Sequence, residues 1–213
     1  MPLSIGQPQT TSFAKRAFHV FKAWMKQPTQ VATICPSSPF LTENIADRDS
    51  VRSASSVVEL GPGAGGTTLA LLSQMRPDAR LLAIEKTDAF REALDEIADP
   101  RFTSHIGDAT DLIAVLEQHQ FANPDVIVSG VPFSAIPPII AQDLVRAIHR
   151  VLKPGGEFIA YQVRSDVERF ARPLFGPAET ERIPINIPPL TVFTWRKIEA
   201  PILTRDIDTR DIA

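Results

Sequence analysis

The chain has 213 residues, of which 44% are hydrophobic and 22% charged, near the globular averages of about 45–50% and about 25%. Intrinsic disorder of the whole chain is excluded, and the length predicts one domain with a modest extension. No apolar run approaches the roughly 18 residues that span a bilayer, the opening residues do not read as a secretion signal, and a single cysteine, Cys35, leaves no internal disulfide or multi-cysteine metal cluster. The net charge of −3 hides an asymmetry: residues 1–42 carry Lys15, Arg16, Lys22 and Lys26 with no acid, +4, while the remaining 171 residues sum to −7. A basic leader ahead of an acidic body points to an anionic partner for the leader, and the body has no basic field for a long polyanion.

In residues 12–27, Phe13, Ala14, Ala17, Phe18, Phe21, Trp24 and Met25 recur at three- and four-residue spacings, with Lys15, His19, Lys22 and Lys26 on the other side. That is one amphipathic helix, capped by Thr10, Thr11 or Ser12 and stopped by Pro28. Two roles fit it: docking its apolar face on the domain, or lying on anionic lipid with Phe18, Phe21, Lys22 and Trp24 at the interface. Residues 1–50 thus read as an amphipathic helix and cap region, and 51–213 as the catalytic domain.

A short helix is predicted near 40–47. Strand-like runs follow at 56–60, 80–85, 102–105, 125–129 and 157–161, separated by helical stretches at 67–76, 88–98, 111–119 and 138–152. This alternation predicts an α/β, doubly wound Rossmann-like parallel sheet with helices on both faces. After the fifth run come a short helix near 166–171 and two β-like runs, 180–187 and 190–198, joined by the tight Ile187-Pro188-Pro189 connection as a hairpin. The total is a seven-stranded sheet.

Glu59-Leu60-Gly61-Pro62-Gly63-Ala64-Gly65-Gly66 follows the first strand and opens a helix. Glycines let the backbone turn sharply and approach a ligand, and the helix start presents free N–H groups. Gly61, Gly63 and Gly66 satisfy a dinucleotide fingerprint, whereas Gly61, Gly63 and Gly65 after an acid satisfy a methyltransferase pattern; a phosphate loop is excluded because Thr67 stands where lysine is required. Glu85, ending the second strand, suits ribose hydroxyls in either case. Asp108, in Gly107-Asp108-Ala109 after the third strand, is placed to accept the exocyclic amine of adenine, and the 52 residues after the fifth strand leave little room for a dehydrogenase's substrate domain.

Val57 to Gly65, Ala83-Ile84-Glu85, Gly107-Asp108-Ala109 and Leu152-Lys153-Pro154-Gly155-Gly156 resemble successive motifs of the class I methyltransferases. Pro36-Ser37-Ser38-Pro39 and Ser129-Gly130-Val131-Pro132-Phe133 are similar to the soluble bacterial phospholipid N-methyltransferases, which convert phosphatidylethanolamine stepwise to phosphatidylcholine and are related to the rRNA adenine dimethylases. The resemblance spans about residues 13–198. It implies S-adenosyl-L-methionine as cofactor, with S-adenosyl-L-homocysteine as product, and a site of Ser38, Glu59, Gly61, Gly63, Gly65, Glu85, Lys86, Asp108, Ala109 and Ser129. For the acceptor it implies Gly130, Val131, Pro132 and Phe133. Nucleobase methylases carry Asn or Asp in an N-x-P-[YF]-like motif at the end of the fourth strand; here Ser129 is read at that position, a poorer acceptor for a planar amine, so phospholipid is favoured over adenine or a small-molecule amine.

Tyr161, the only tyrosine, sits at the end of the fifth strand and is the leading catalytic candidate, as acceptor of an amine hydrogen bond or as a ring beside a methylated cation. Ser129 and the Gly130 or Val131 carbonyls orient the amine. Arg164, ahead of Arg169 and Arg196, is the candidate for lipid phosphate. His19, His105, His119 and His149 show no ligand spacing, so no metal is expected, and neither is nucleic acid. The expected location is the cytoplasm, peripheral on the inner face of the membrane.

Overall fold

The central runs 57–60, 81–84, 126–129 and 158–160 become strands because each is short and buried on both sides, as strands covered on two faces require, whereas the edge runs 102–106 and 179–183 are largely unburied. The structure, a computed structural model, describes residues 38–184 and 189–198. The amphipathic stretch 12–27 with Phe18, Phe21, Lys22 and Trp24, the residues Cys35, Pro36 and Ser37, and the Ile187-Pro188 connection lie outside the described residues.

Strands β1 (Ser56–Leu60), β2 (Arg80–Glu85), β3 (Phe102–Ile106), β4 (Val126–Ser129) and β5 (Glu157–Gln162) pair in parallel. β6 (Glu179–Ile183) and β7 (Leu190–Arg196) complete the sheet antiparallel, in the order β3-β2-β1-β4-β5-β7-β6. The helices are α1 (Pro39–Ala46), α2 (Asp49–Ser53), α3 (Gly66–Gln74), α4 (Arg91–Asp95), α5 (Leu112–Gln118), α6 (Pro138–Val151) and α7 (Asp166–Phe175). This is the expected seven-stranded, Rossmann-like architecture.

Alternation along the strands sorts the core into two faces. Val58, Leu60, Leu82, Ile127 and Phe158 pack with Leu116, Leu144, Ile148 and Phe175 on one side. Val57, Leu81, Val128 and Ile159 pack with Leu41, Ile45, Val51, Leu71 and Met75 on the other. Residues of α1 and α2 therefore share a core with the sheet. Trp195 stacks between Phe158 and Phe193, tying β7 to β5.

Three elements differ from expectation. The stretch 88–98 divides into a 3-10 turn (Asp88–Phe90), whose Phe90 packs on Ala64 and Ala93, and a short α4. The helix expected to stop near 171 runs through Pro173 to Phe175: the proline falls in the last turn, Phe175 is buried against Phe158, and Gly176 at φ +85° ends the helix. α2 gives no periodic signal over five residues and is held by its packing and by Arg52 bridging Asp47 and Asp49.

The strand order reverses between β1 and β4, where the chain after β1 goes to one face and the chain after β4 to the other. Ligands of open α/β sheets bind beyond the carboxyl ends of the strands at such a point. Leu60 faces Ser129 in register, so Gly61 and Gly130 leave the sheet side by side there.

Candidate active site

The loop between β1 and α3 is built on left-handed backbone. Gly61, Gly63 and Gly65 have φ of +73°, +55° and +78°, conformations that L side chains adopt only with strain. A Cβ at Gly65 would meet Ile97 Cδ1, a side-chain tip that can shift, so it is the φ that selects glycine there. Gly65 is the N-cap of α3 and supplies no side-chain cap, which leaves the first N–H groups of the helix facing the crevice without a side-chain partner. Space above Gly63 and Gly66 is open to at least 4 Å.

Two buried carboxylates hold this loop. Glu85 accepts the Gly63 N–H at Oε2 (2.9 Å) and the Thr87 N–H at Oε1 (2.7 Å), so the end of β2 ties the glycine turn in place. Burial pushes its pKa up, against the lowering by those amides. Glu59, fully buried in β1, accepts the Thr68 hydroxyl at Oε2 (2.6 Å), while its Oε1 has no partner. Burial pushes Glu59 up to about 7, helped by the nearby Glu85 charge and opposed by the Thr68 hydroxyl. An orphaned oxygen in a buried carboxyl beneath a glycine cradle fits a site completed by a polar ligand.

On the flank, Asp108 accepts the Thr110 N–H (3.0 Å) and pairs with Lys86 (2.8 Å). Burial raises its pKa, but Lys86 and Thr110 outweigh that and hold it below the usual value, so a carboxylate is available where the adenine amine is expected. Ala109 starts the 3-10 turn after Asp108 and packs on the core. Ser38 caps α1, its Oγ accepting the Leu41 N–H at 3.2 Å.

The segment after β4 forms the opposite wall. Ser129 is fully buried, and its Oγ accepts the Val131 N–H (3.3 Å). Val131 lies against Gly61, while Tyr161 stands over Gly130: a Cβ at Gly130 would land on the Tyr161 hydroxyl and 3.0 Å from the Gly61 carbonyl. Counted back from Pro132-Phe133, the amide position of N-x-P-[YF] falls on Gly130, not Ser129. The phenol therefore occupies the space in which that side chain would begin.

Of the expected acceptor residues, Gly130, Val131 and Pro132 line the wall, but the Phe133 ring is 1% exposed and belongs to the core. Arg164 follows β5 and is exposed, paired with Asp166 at 2.9 Å. Arg169 lies over the Phe170 ring, and Arg196 pairs with Glu157 at the amino ends of the parallel strands, the wrong end for the crevice. Sequence spacing did not show that His105 and His119 meet; their ring nitrogens lie 3.1 Å apart. Nor did it find Gln162, 5% exposed, which accepts the Phe133 N–H (3.2 Å) and donates to the Val131 carbonyl (2.8 Å). Its signal was a polar residue closing an apolar buried strand. A shallow cavity lined by Ser50, Ser53, Asp125, Lys153 and Arg196 opens at the amino ends of the strands, away from all of these groups.

Glu85→Gln is expected to lower affinity for the cofactor about tenfold or more, since charge-assisted hydrogen bonds contribute about 1.5–3 kcal/mol each. Calorimetry against S-adenosyl-L-homocysteine reads this, and unchanged affinity would remove Glu85 from the site.

The comparisons agree with this geometry. Residues 57–156 match the family model described as a methyltransferase domain. An ornithine lipid N-methyltransferase of Singulisphaera acidiphila is 31% identical over 179 residues, covering 83% of this chain and 93% of that protein. The ribosomal RNA small subunit methyltransferase A of Phenylobacterium zucineum is 37% identical over 102 residues, but these cover 47% of this chain and 34% of that protein. The N-methyltransferase NodS from Bradyrhizobium japonicum, solved with S-adenosyl-L-homocysteine, superposes with a TM-score of 0.63 at 16% identity, covering 83% of this chain and 99% of that one. S-adenosyl-L-methionine is the cofactor, and the chain belongs to the class I S-adenosylmethionine-dependent methyltransferases.

Proposed function

We propose that this methyltransferase acts on the amine of a membrane lipid headgroup, with phosphatidylethanolamine and its methylated intermediates as the acceptor series towards phosphatidylcholine. The observation that carries the reading is the similarity to the ornithine lipid N-methyltransferase along 93% of that protein, which includes the acceptor wall as well as the cofactor loop. The rRNA methyltransferase relative matches over about a third of its own length. Glycine at the amide position, with a phenol in its place, further separates this site from one that grips a planar nucleobase amine.

When bound, the cofactor supplies a methyl group already activated on a sulfonium. The protein's part is to aim the amine, exclude water and remove a proton, because an alkylamine with a pKa of about 10 is nearly all protonated at neutral pH. In this reading the ammonium proton passes to solvent as the headgroup enters, and Tyr161 Oη and the Gly130 carbonyl accept the N–H groups that remain, two on the primary amine and one on the monomethylated amine, leaving the nitrogen lone pair directed along the crevice. Glu59, Glu85, Lys86, Asp108, Ala109 and the three loop glycines hold the cofactor; Ser129 fixes Val131; Ser38 fixes the start of α1; and Arg164 meets the lipid phosphate. Access to lipid is assigned to the stretch 12–27, whose apolar residues and lysines recur on opposite sides and suit an anionic surface.

The test is transfer of label from S-adenosyl-L-methionine to vesicles of phosphatidylethanolamine or ornithine lipid, with and without anionic lipid, beside unmethylated rRNA. Label in phosphatidylethanolamine that rises with anionic lipid is the expected result; label confined to ornithine lipid moves the substrate, and label confined to rRNA overturns the reading. Replacing Phe18, Phe21 and Trp24 by serine is expected to abolish sedimentation with anionic vesicles while leaving cofactor affinity intact.

A further inference from the structure

β5 closes on two polar side chains that alternate across the sheet, Tyr161 on the α1 side and Gln162 on the α6 side. Gln162 is buried, and its two bonds fix the sense of its amide: exchanging oxygen and nitrogen would set donor against donor at Phe133.

Its effect is clear once the other main-chain groups of the segment are followed. The Gly130 N–H donates to the Leu60 carbonyl (2.8 Å), and the Pro132 carbonyl accepts from Ala135 (2.9 Å). The Val131 N–H is taken by Ser129 Oγ, and the Val131 carbonyl by Gln162. In a parallel ladder with Leu60 opposite Ser129, the next donor towards the Gly130 carbonyl would be residue 62. That residue is a proline, with no N–H, and the chain has already turned away at Gly61. Among the described residues, the Gly130 carbonyl is thus the one acceptor from Gly130 to Pro132 without a partner, and Gly130 lies directly under the Tyr161 hydroxyl.

We propose that Gln162 is a positioning residue for the methyl acceptor: by holding the Val131 carbonyl and the Phe133 N–H out of the crevice, it fixes the Gly130 carbonyl as the single main-chain acceptor beside Tyr161 Oη. The inference rests on the reading of an amine acceptor. Without Gln162 the Val131 carbonyl competes for the amine and the wall shifts, and misplacement by about 1 Å can cost a factor of about 100 in rate. The cofactor loop keeps its own ties through Glu85 and Thr68, so cofactor affinity is insulated from the change.

The experiment compares wild type with Gln162→Met, which keeps the volume, and Gln162→Glu, which keeps an acceptor for the Phe133 N–H but has no donor for the Val131 carbonyl when ionised. Label transfer to amine-lipid vesicles, affinity for S-adenosyl-L-homocysteine and thermal midpoints are measured on each full chain. Expected are a kcat/KM for lipid lowered about 30-fold or more in both variants, with KM raised as well as kcat lowered, and cofactor affinity within about twofold of wild type. Variants that match wild-type kcat/KM overturn the positioning role, as do variants whose lipid kinetics and cofactor affinity fall by the same factor, which marks a merely structural residue. A wild type that labels no amine lipid overturns instead the reading on which the role rests.

Discussion

Gly130→Ala is expected to lower the rate of methyl transfer by about 100-fold or more, a larger loss than any other single methyl group added to this site should cause. The added carbon would fall on the Tyr161 hydroxyl, 2.8 Å from its ring Cζ and 3.0 Å from the Gly61 carbonyl. None of the three is the free end of a flexible chain: the phenol is rigid, its strand is hydrogen-bonded on both sides, and the Gly61 carbonyl belongs to the cofactor loop. The strain therefore displaces either the catalytic candidate or the acceptor wall. Overpacking of this kind typically costs about 1–3 kcal/mol of stability, so the variant should fold with a lowered thermal midpoint. Tyr161→Phe removes the clashing oxygen and should recover part of that stability in the double variant without recovering the rate, a coupling that a double-mutant cycle measures. A Gly130→Ala enzyme with wild-type kcat would show that the Tyr161 hydroxyl has no part in the reaction.

Glu59→Gln is expected to flatten the pH dependence of stability between about pH 5 and 8. Glu59 has an ordinary value of 4.5 and is pushed up to about 7 in the fold, chiefly by burial. Between those values the folded chain binds more protons than the unfolded chain, so stability falls as pH rises, by about 3 kcal/mol in total, and the loss is complete above about pH 8. Glu85 is shifted in the same direction, while His119 and His149, lowered by burial, act in the opposite one. Comparing wild type with Glu59→Gln cancels those shared contributions. Urea midpoints at pH 5.5, 6.5, 7.5 and 8.5 should diverge, with the variant gaining on wild type as pH rises; parallel curves would show that Glu59 ionises normally in the fold. Its position beneath the glycine cradle gives the proton a functional side, since a neutral Glu59 removes one of two adjacent negative charges from the cofactor loop.

Five of the strands, the hairpin and the glycine loop were legible in the sequence because each is encoded locally. A run such as Ser56–Leu60 can only be a strand covered on both faces, and glycines at 61, 63 and 65 mark left-handed backbone wherever the chain later goes. The pairing of Glu85 with the loop was partly legible, as a carboxylate at a strand end. Short elements were not: α2 and the break near residue 90 follow tertiary packing of Val51 and Phe90, which overrides weak propensities.

What only the tertiary structure decided is the acceptor wall, and the reason is register. Leu60 opposite Ser129 brings Gly61 beside Gly130, and Ser129 opposite Ala160 places Tyr161 over that glycine and Gln162 behind it, although these residues lie 31 to 101 positions apart. The motif placed Phe133 among the acceptor residues, whereas in the fold its ring is buried in the core and its N–H donates to Gln162. By itself the sequence determined the sheet and the cofactor. Which atoms line the crevice beside Gly130 was set by the pairing of strands, since hydrogen bonds between distant segments fix the direction of each side chain and leave no trace in local composition.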